Sequence, residues 1–129
     1  MKNHFSTVEN KNLKIPSFAD DPKYDETSLG HVIHVVPVKE MRTLTIKWPS
    51  LPGVAEYWTG NPLLYLANSL GDEGTNSIMS ELVKQDLAVT VMAGPAYRLQ
   101  DEMSQFFIDI TMTEKGLKNW KEIVRVVFA

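Results

Sequence analysis

The residues with the clearest capacity for chemistry form the short turn Gly71-Asp72-Glu73-Gly74. Its two adjacent carboxylates are framed by glycines, which suit tight turns. The turn lacks the Lys-Ser/Thr ending of a phosphate-binding loop, and its negative charge would repel phosphate. Because neighbouring residues rarely face one another, we do not expect a catalytic acid–base pair. We predict a solvated turn that attracts a cation such as a peptide amino group.

His31 and His34 form the only close histidine pair in the chain. The valines around them and Pro37 favour a strand over a helix. Residues three apart point to opposite faces of a strand, so this pair cannot chelate one ion there. The chain has no cysteine and three histidines, and it contains no H-x-x-E-H, H-E-x-x-H or G-x-S-x-G motif. We therefore predict no catalytic residue, no metal ligand and no peptidase activity for this chain alone.

The apolar segment 87–94 could bind a partner through its backbone. At the edge of a sheet, its unpaired N–H and C=O groups could pair with an extended peptide. In the interior of a sheet, the same groups would pair with neighbouring strands. The sequence alone leaves both arrangements open.

The composition is that of one compact domain, or most of one. The chain has 129 residues, 43% of them hydrophobic, and a formal net charge of -3. That charge is too weak, and too evenly spread, to favour nucleic acid or a membrane surface as a partner. The absence of cysteine fits a reducing compartment. With no apolar run of about 20 residues and no signal peptide in view, a cytoplasmic location is favoured.

Apolar periodicity predicts the element order β-β-α-α-β-β-α. Residues 1–30 are polar, are interrupted by prolines, and are predicted to be a linker. Residues 31–38 are apolar on both alternating sides, as in a strand buried on two faces. Residues 43–48 alternate as a half-buried strand, and residues 106–112 place four apolar side chains on one face of another.

Capping residues predict where the helices begin. Asn61 and Pro62 are suited to start the first helix, and Gly71 to end it. Thr75 or Asn76 is predicted to cap the second helix. The last helix is predicted to begin at Thr113 and to face the sheet with a stripe formed by Leu117, Trp120, Val124 and Val127. Mixed strands and helices in this order predict an α+β fold, a mainly antiparallel sheet with helices packed on one face.

Short motifs spread over nearly the whole chain resemble those of one known family. In order they are Phe5-Ser6, Val36-Pro37-Val38-Lys39, Asn61-Pro62, Glu73-Gly74, Ser80-Glu81-Leu82 and Thr113-Glu114-Lys115-Gly116-Leu117. By these motifs the chain resembles the insulinase (pitrilysin-type) zinc metallopeptidases, in their second, non-catalytic domain.

The resemblance implies a truncated domain of a larger peptidase. Residues 1–30 would lead from the preceding catalytic domain, and residues 31–129 would form the N-terminal part of the second, substrate-exosite domain. Zinc would belong to the parent protein and not to this chain. The parent would be a zinc metalloendopeptidase that encloses its peptide substrates.

The resemblance also implies which residues bind peptide. Glu73, with the backbone of Gly71, would anchor the amino group of the substrate, and a strand formed by Val91, Ala93 and the turn at Pro95 would receive it. The chain departs from the family at several of these positions: Asn68 and Asp72 stand where relatives often have histidines, and Asn76 and Ala93 replace glycines.

The expected partners are peptide substrates and the remaining domains of the parent chain. Self-association of the isolated chain is also expected. Without the rest of the domain, apolar surface and strand edges would be left uncovered. Nucleic acid and membranes are not expected as partners. The alternatives are a structural or subunit-interaction domain of a non-proteolytic family member, and an unrelated peptide-binding α+β domain. An intact zinc motif preceding this segment would favour the peptidase.

Overall fold

The computed structural model describes residues 8–14, 26–49, 60, 62–97 and 104–129. These residues form an α+β fold, as predicted. A short 3-10 turn at Glu26–Ser28 precedes the regular elements, which are β1 (Thr43–Pro49), α1 (Pro62–Leu70), α2 (Ile78–Lys84), β2 (Ala88–Tyr97), β3 (Ser104–Met112), α3 (Glu114–Lys118) and α4 (Trp120–Val127).

The described strands form an antiparallel sheet in the order β1-β3-β2, with β3 in the centre. Ile110 of β3 lies opposite Leu44 of β1 on one side and Val91 of β2 on the other. The predicted apolar face of β3 is confirmed, since Ile108 and Ile110 are 1% and 0% exposed. The buried apolar residues occupy every second position of β3 across residues 106–112. This pattern fixes the register, because a slip of one residue would turn the apolar face outward.

The helices cover that apolar face. α1 and α2 pack against β2, and α4 packs against α2. Leu82 of α2 and Ile123 of α4 are both fully buried and join the isoleucines of β3 in the core. The predicted arrangement of helices on one face of the sheet is therefore confirmed.

Two parts of the predicted element order are wrong. Residues 31–37 form no regular structure, and Val36 and Val38 are 92% and 105% exposed instead of buried on two faces. The apolar composition suits a strand, but no described strand lies beside it. The predicted last helix is divided at Asn119 into α3 and α4, and its most buried residue is Ile123 instead of a member of the predicted stripe.

The predicted cap of the second helix is also wrong. Ser77, and not Thr75 or Asn76, is the N-cap of α2, and its Oγ accepts a hydrogen bond from the Ser80 N–H at 3.1 Å. Asn76 lies one residue earlier with φ 68°, a left-handed conformation that asparagine tolerates. Asn61 lies outside the described residues, and Pro62 is the first residue of α1, as predicted.

The third strand extends further than predicted. β2 runs through Gly94 and Pro95 to Tyr97. A register shift between Ala88 and Thr90 turns Val89 outward, to 55% exposure, although simple alternation places it with Val91 in the core. An extra residue in one strand of an antiparallel pair has this effect.

Residues 85–87 and 113–116 make close contact, and we call this contact the turn junction. The Thr113 hydroxyl donates to the Asp86 carbonyl at 2.8 Å and accepts from the Gly116 N–H at 2.9 Å, which confirms Thr113 as the cap of α3. The Thr113 N–H donates to the Leu87 carbonyl at 3.1 Å. A Cβ on Gly116 would lie only 1.9 Å from the Leu87 oxygen, so no larger residue fits there without a backbone shift.

We predict that Gly116→Ala lowers the free energy of unfolding by about 1–3 kcal/mol, the usual cost of overpacking. Alanine ordinarily stabilises a helix by about 1 kcal/mol relative to glycine, so the expected sign is reversed. Urea denaturation measures the change. Gly60→Ala is the control, because a Cβ there meets nothing within 4 Å. A Gly116→Ala protein as stable as the wild type would contradict the close contact.

We predict that Ser77→Ala lowers the free energy of unfolding by about 1 kcal/mol, because the N-cap hydrogen bond of α2 is lost. Thr75→Ala should change it little, since Thr75 is exposed and caps nothing in the described structure. Equal losses for the two variants, measured by thermal unfolding, would show that Ser77 is not the cap.

Candidate functional site at the edge of the sheet

An open hollow of about 710 Å³ lies between the end of α1, the turn that follows it and β2. We call it the edge hollow. Three segments of the chain contribute its walls: the last turn of α1, the acidic turn, and four successive residues of β2. The lining residues are Ala67, Asn68, Gly71, Asp72, Glu73, Thr90, Val91, Met92 and Ala93.

The strand wall of the edge hollow is formed by the edge of β2 and not by one of its faces. Successive side chains of a strand point to opposite faces, yet residues 90–93 all contribute to the wall. β2 pairs with β3 on one side, and no other described strand lies along its second side. Of the two arrangements that the sequence left open, the described structure therefore has the edge strand.

The register shows which backbone groups of β2 face outward. The Met112 N–H donates to Arg42 on the β1 side, and the Thr113 N–H donates to Leu87 on the β2 side. Because these groups alternate along an antiparallel strand, Asp109 and its odd-numbered neighbours in β3 bond to β2. Asp109 lies opposite Met92. The N–H and C=O groups of Met92 therefore point to β3. Those of its two neighbours in β2, Val91 and Ala93, point outward.

The helix wall approaches the strand closely because residue 71 is a glycine. The Gly71 N–H donates to the Ala67 carbonyl at 2.8 Å and closes α1. A Cβ on Gly71 would lie 2.9 Å from that carbonyl oxygen and 3.6 Å from the backbone nitrogen of Ala93. A side chain at position 71 would thus crowd the outward-facing backbone of β2, and glycine leaves it accessible.

The acidic turn places two carboxylates at the rim of the edge hollow. Asp72 and Glu73 are exposed, and neither makes a hydrogen bond or ion pair with the residues that the structure describes. The Asp72 carboxylate lies over the turn, with Oδ2 3.0 Å from where a Cβ of Gly74 would lie. None of the nine lining residues is Lys, Arg or His, so the formal charge of the lining is negative.

The structure brings together four of the five residues that the resemblance assigned to peptide binding. Gly71, Glu73, Val91 and Ala93 all line the edge hollow. Pro95 does not line it and forms no turn, since it lies within β2 opposite Phe106. By the same alternation its nitrogen faces outward, where the missing N–H costs the sheet no hydrogen bond.

The sequence reasoning missed three lining residues: Ala67 of α1 and two residues of β2, Thr90 and Met92. The two strand residues alternate with Val91 and Ala93 along β2, so their side chains project from the opposite face of the sheet while their positions follow the same edge. The signal that could have found them is the edge position itself, because every residue along an edge borders the space beside it.

The described residues do not fit a zinc centre. No group of three His, Asp or Glu side chains in the described ranges is close enough to hold a metal ion. His31 Nε2 lies 2.6 Å from the Thr27 carbonyl oxygen, and the His34 ring contacts the edge of Trp120 at a centroid distance of 6.1 Å. In the part of the chain that is described, no helix has the length and apolarity needed to cross a membrane.

Comparison with known proteins places this chain in a family. A profile described as the peptidase M16 inactive domain matches residues 1–129. The chain is 35% identical over 124 residues to insulin-degrading enzyme of Drosophila melanogaster, covering 96% of this chain and 12% of that protein. It is 32% identical over 129 residues to nardilysin of Rattus norvegicus, covering 96% of this chain and 11% of that protein.

The fold has a counterpart of known structure. The crystal structure of pitrilysin superposes with a TM-score of 0.65 and 18% sequence identity, over 71% of this chain and 10% of the pitrilysin chain. At that level of identity the likeness concerns the fold alone. Together with the preceding matches, it shows that this chain spans only a small part of the length of its relatives.

Proposed function

Because the chain belongs to the peptidase M16 family as its inactive domain, we propose that it holds peptide substrates for a zinc metalloendopeptidase without cleaving them. The observation that carries the proposal is the edge hollow. There, a strand edge and an acidic turn lie side by side, and neither is paired with another described residue on the side of the hollow. Cleavage would take place at a zinc site outside this chain, and no step of it is assigned to the residues described here.

The open edge of β2 supplies the main binding interaction in this proposal. An extended peptide adds to the sheet as a further strand and pairs with the outward N–H and C=O groups of Val91 and Ala93. Backbone pairing does not depend on the side chains of the peptide. A site of this kind therefore accepts many sequences.

The acidic turn supplies direction in the same proposal. Glu73 accepts a charge-assisted hydrogen bond from the free amino group at the start of the peptide. The carboxylate is not engaged with another described residue, so binding breaks no ion pair among the described residues. The bound peptide then begins at the acidic turn and runs along β2.

The exposed segment 31–38 favours a further role in contacts within the parent protein. Val32, Ile33, Val35, Val36 and Val38 are each at least 60% exposed. A row of exposed β-branched side chains is suited to pack against another domain or to pair with another strand. Remaining domains of the parent chain are the proposed partners, and a second copy of this chain is the alternative occupant.

We predict that Glu73→Gln weakens the binding of a peptide with a free N-terminus by about three- to tenfold, because the ammonium group then bonds to an uncharged amide oxygen instead of a carboxylate. The N-acetylated form of the same peptide should bind both proteins with the same affinity, since it brings no charge to the turn. Isothermal titration calorimetry with the matched peptides gives all four affinities.

Asp86→Asn is the control for that experiment, because Asp86 is exposed and does not line the edge hollow. It changes the net charge by the same amount and should leave both peptide affinities unchanged. If Glu73→Gln weakens the free and acetylated peptides equally, Glu73 serves only the shape of the turn and the anchoring role is wrong.

We predict that methylation of the backbone nitrogens of the peptide, one at a time, weakens binding with a period of two residues. A strand added to β2 bonds to it only at alternate residues, so every second N–H is dispensable. Each essential N–H should cost about five- to tenfold in affinity, the scale of one hydrogen bond. Uniform losses along the peptide, or none, would exclude strand addition.

A further inference from the structure

We propose that the wall formed by α1 makes the edge hollow selective for peptides with large apolar side chains at alternate positions close to their N-terminus. Leu64 is the residue that sets this preference. The inference rests on the proposed function and names the substrate class of the same site. It arises from an apolar helix face that continues the lining of the edge hollow.

The helix α1 is more apolar than its burial accounts for. Its sequence, PLLYLANSL, contains no charged residue, yet Ala67 is the one member that is buried. Leu64, Tyr65 and Leu66 are 48%, 77% and 42% exposed. A helix that is apolar on all sides is normally covered on all sides. Part of the apolar surface of α1 is therefore available to a ligand.

Leu64 is the one of these three exposed side chains that lies on the side of α1 facing the edge hollow. Residues three, four and seven apart share one face of a helix. Counted from Leu64, these are Ala67, Asn68 and Gly71, which all line the edge hollow. Leu64 therefore continues the helix wall by about one turn of 5.4 Å. Leu66 is rotated from Leu64 by about 200° around the helix axis and lies on the other side.

The floor of the edge hollow is apolar and has short side chains. Ala67 of α1 and Val91 of β2 line it and are each 6% exposed. Met92 borders it from the other face of the sheet and is 58% exposed. Its volume of about 710 Å³ is within the range of ligand-binding pockets, about 300–1,000 Å³. A short-sided floor of this size leaves space for large side chains of a ligand.

The charges of the edge hollow lie at one end of the helix wall. Asp72 and Glu73 follow the last residue of α1, whereas Leu64 belongs to its first turn. No charged residue lies between them along the helix. A peptide whose amino group binds at the acidic turn therefore places its next residues beside an uncharged wall.

An added strand presents its side chains to this wall at every second residue. The side chains of Val91 and Ala93 point to the face of the sheet that the helices cover, since Val91 is buried and Ala93 packs against the core. Side chains of a strand alternate between the two faces of its sheet. Every second side chain of the peptide thus points to the side where α1 lies, and the others point to the opposite face.

The expected preference is limited because the edge hollow is open on one side. Full burial of a leucine side chain corresponds to a gain in affinity of roughly tenfold or more. We expect about a three- to fivefold gain for leucine over alanine at each favoured position, as for partial burial. The gain should not depend on salt, since it involves no charge, whereas a contribution of Glu73 should weaken as salt is added.

The test is a leucine scan of a peptide that has a free N-terminus, alanine at its first four residues and a fluorescent label at its other end. Leucine replaces one alanine at a time, and fluorescence anisotropy measures each affinity for the wild type, Leu64→Asn, Leu64→Met and Leu66→Asn. The last is the matched control, because Leu66 is a leucine of the same helix with similar exposure on the other side.

We expect leucine to raise the affinity at alternate positions in the wild type and in Leu66→Asn. The gain should fall below about 1.5-fold in Leu64→Asn, where the apolar wall is lost. Leu64→Met should retain the gain, because methionine keeps the wall apolar at nearly the same volume. Thermal unfolding of the variants checks that each is folded, and the scan of the wild type needs no variant.

The outcomes separate this inference from the function on which it rests. If leucine raises the affinity of the wild type at no position, or equally at all four, the selectivity is wrong. If the gain survives in Leu64→Asn, Leu64 is not its source and the inference is overturned. In both cases a preference for free over acetylated peptides, with an alternating effect of backbone methylation, leaves the proposed function standing. If both of those effects are missing as well, the function itself fails.

Discussion

The absence of a side chain at Gly116 is the constraint on which the rest of this structure depends. It allows the first turn of α3 to lie against the Leu87 carbonyl, where a Cβ would come within 1.9 Å of the oxygen. The Thr113 hydroxyl then serves two chain segments at once, as an acceptor for the Gly116 N–H and a donor to Asp86. This contact holds the start of β2 to the end of β3, so it fixes where the outer strand begins and which of its groups face outward.

The candidate site depends on two places where one backbone segment lies close to another. Gly116 brings the start of β2 into place, and Gly71 brings the end of α1 near the nitrogen of Ala93. Between them, the edge hollow combines a polar backbone edge with an acidic rim. Its side chains add charge and a little apolar surface, whereas the edge of β2 that it contains is main chain. In the proposed function, this division would let the domain bind peptides mostly through its backbone, while cleavage takes place elsewhere.

The sequence predicted features whose pattern lies within one short segment. Apolar residues at every second position identified β3, because one face of that strand is buried, and the Thr113 cap of α3 needed only residues within one helical turn. The exposed valines at 36 and 38 could not be predicted, because an apolar sequence records a preference for a strand and not the presence of a partner. Three residues with capping side chains lie in a row at 75–77, so composition could not choose Ser77. Four members of the candidate site came from resemblance to a family, and Thr90 and Met92 required the knowledge that β2 is an edge.

Pro95 limits the length of the β2 edge that is available for regular backbone pairing. Its nitrogen faces outward and carries no hydrogen, and the register shift between Ala88 and Thr90 disturbs the strand at its other end. Regularly spaced N–H and C=O groups that face outward are thus confined to the few residues around Val91 and Ala93. Long uninterrupted edges let one folded chain template the next and grow into fibrils, and prolines and bulges are the usual protection against this. The same interruption that would shorten the pairing of β2 with a peptide therefore also leaves less regular edge for pairing with a second copy of the protein.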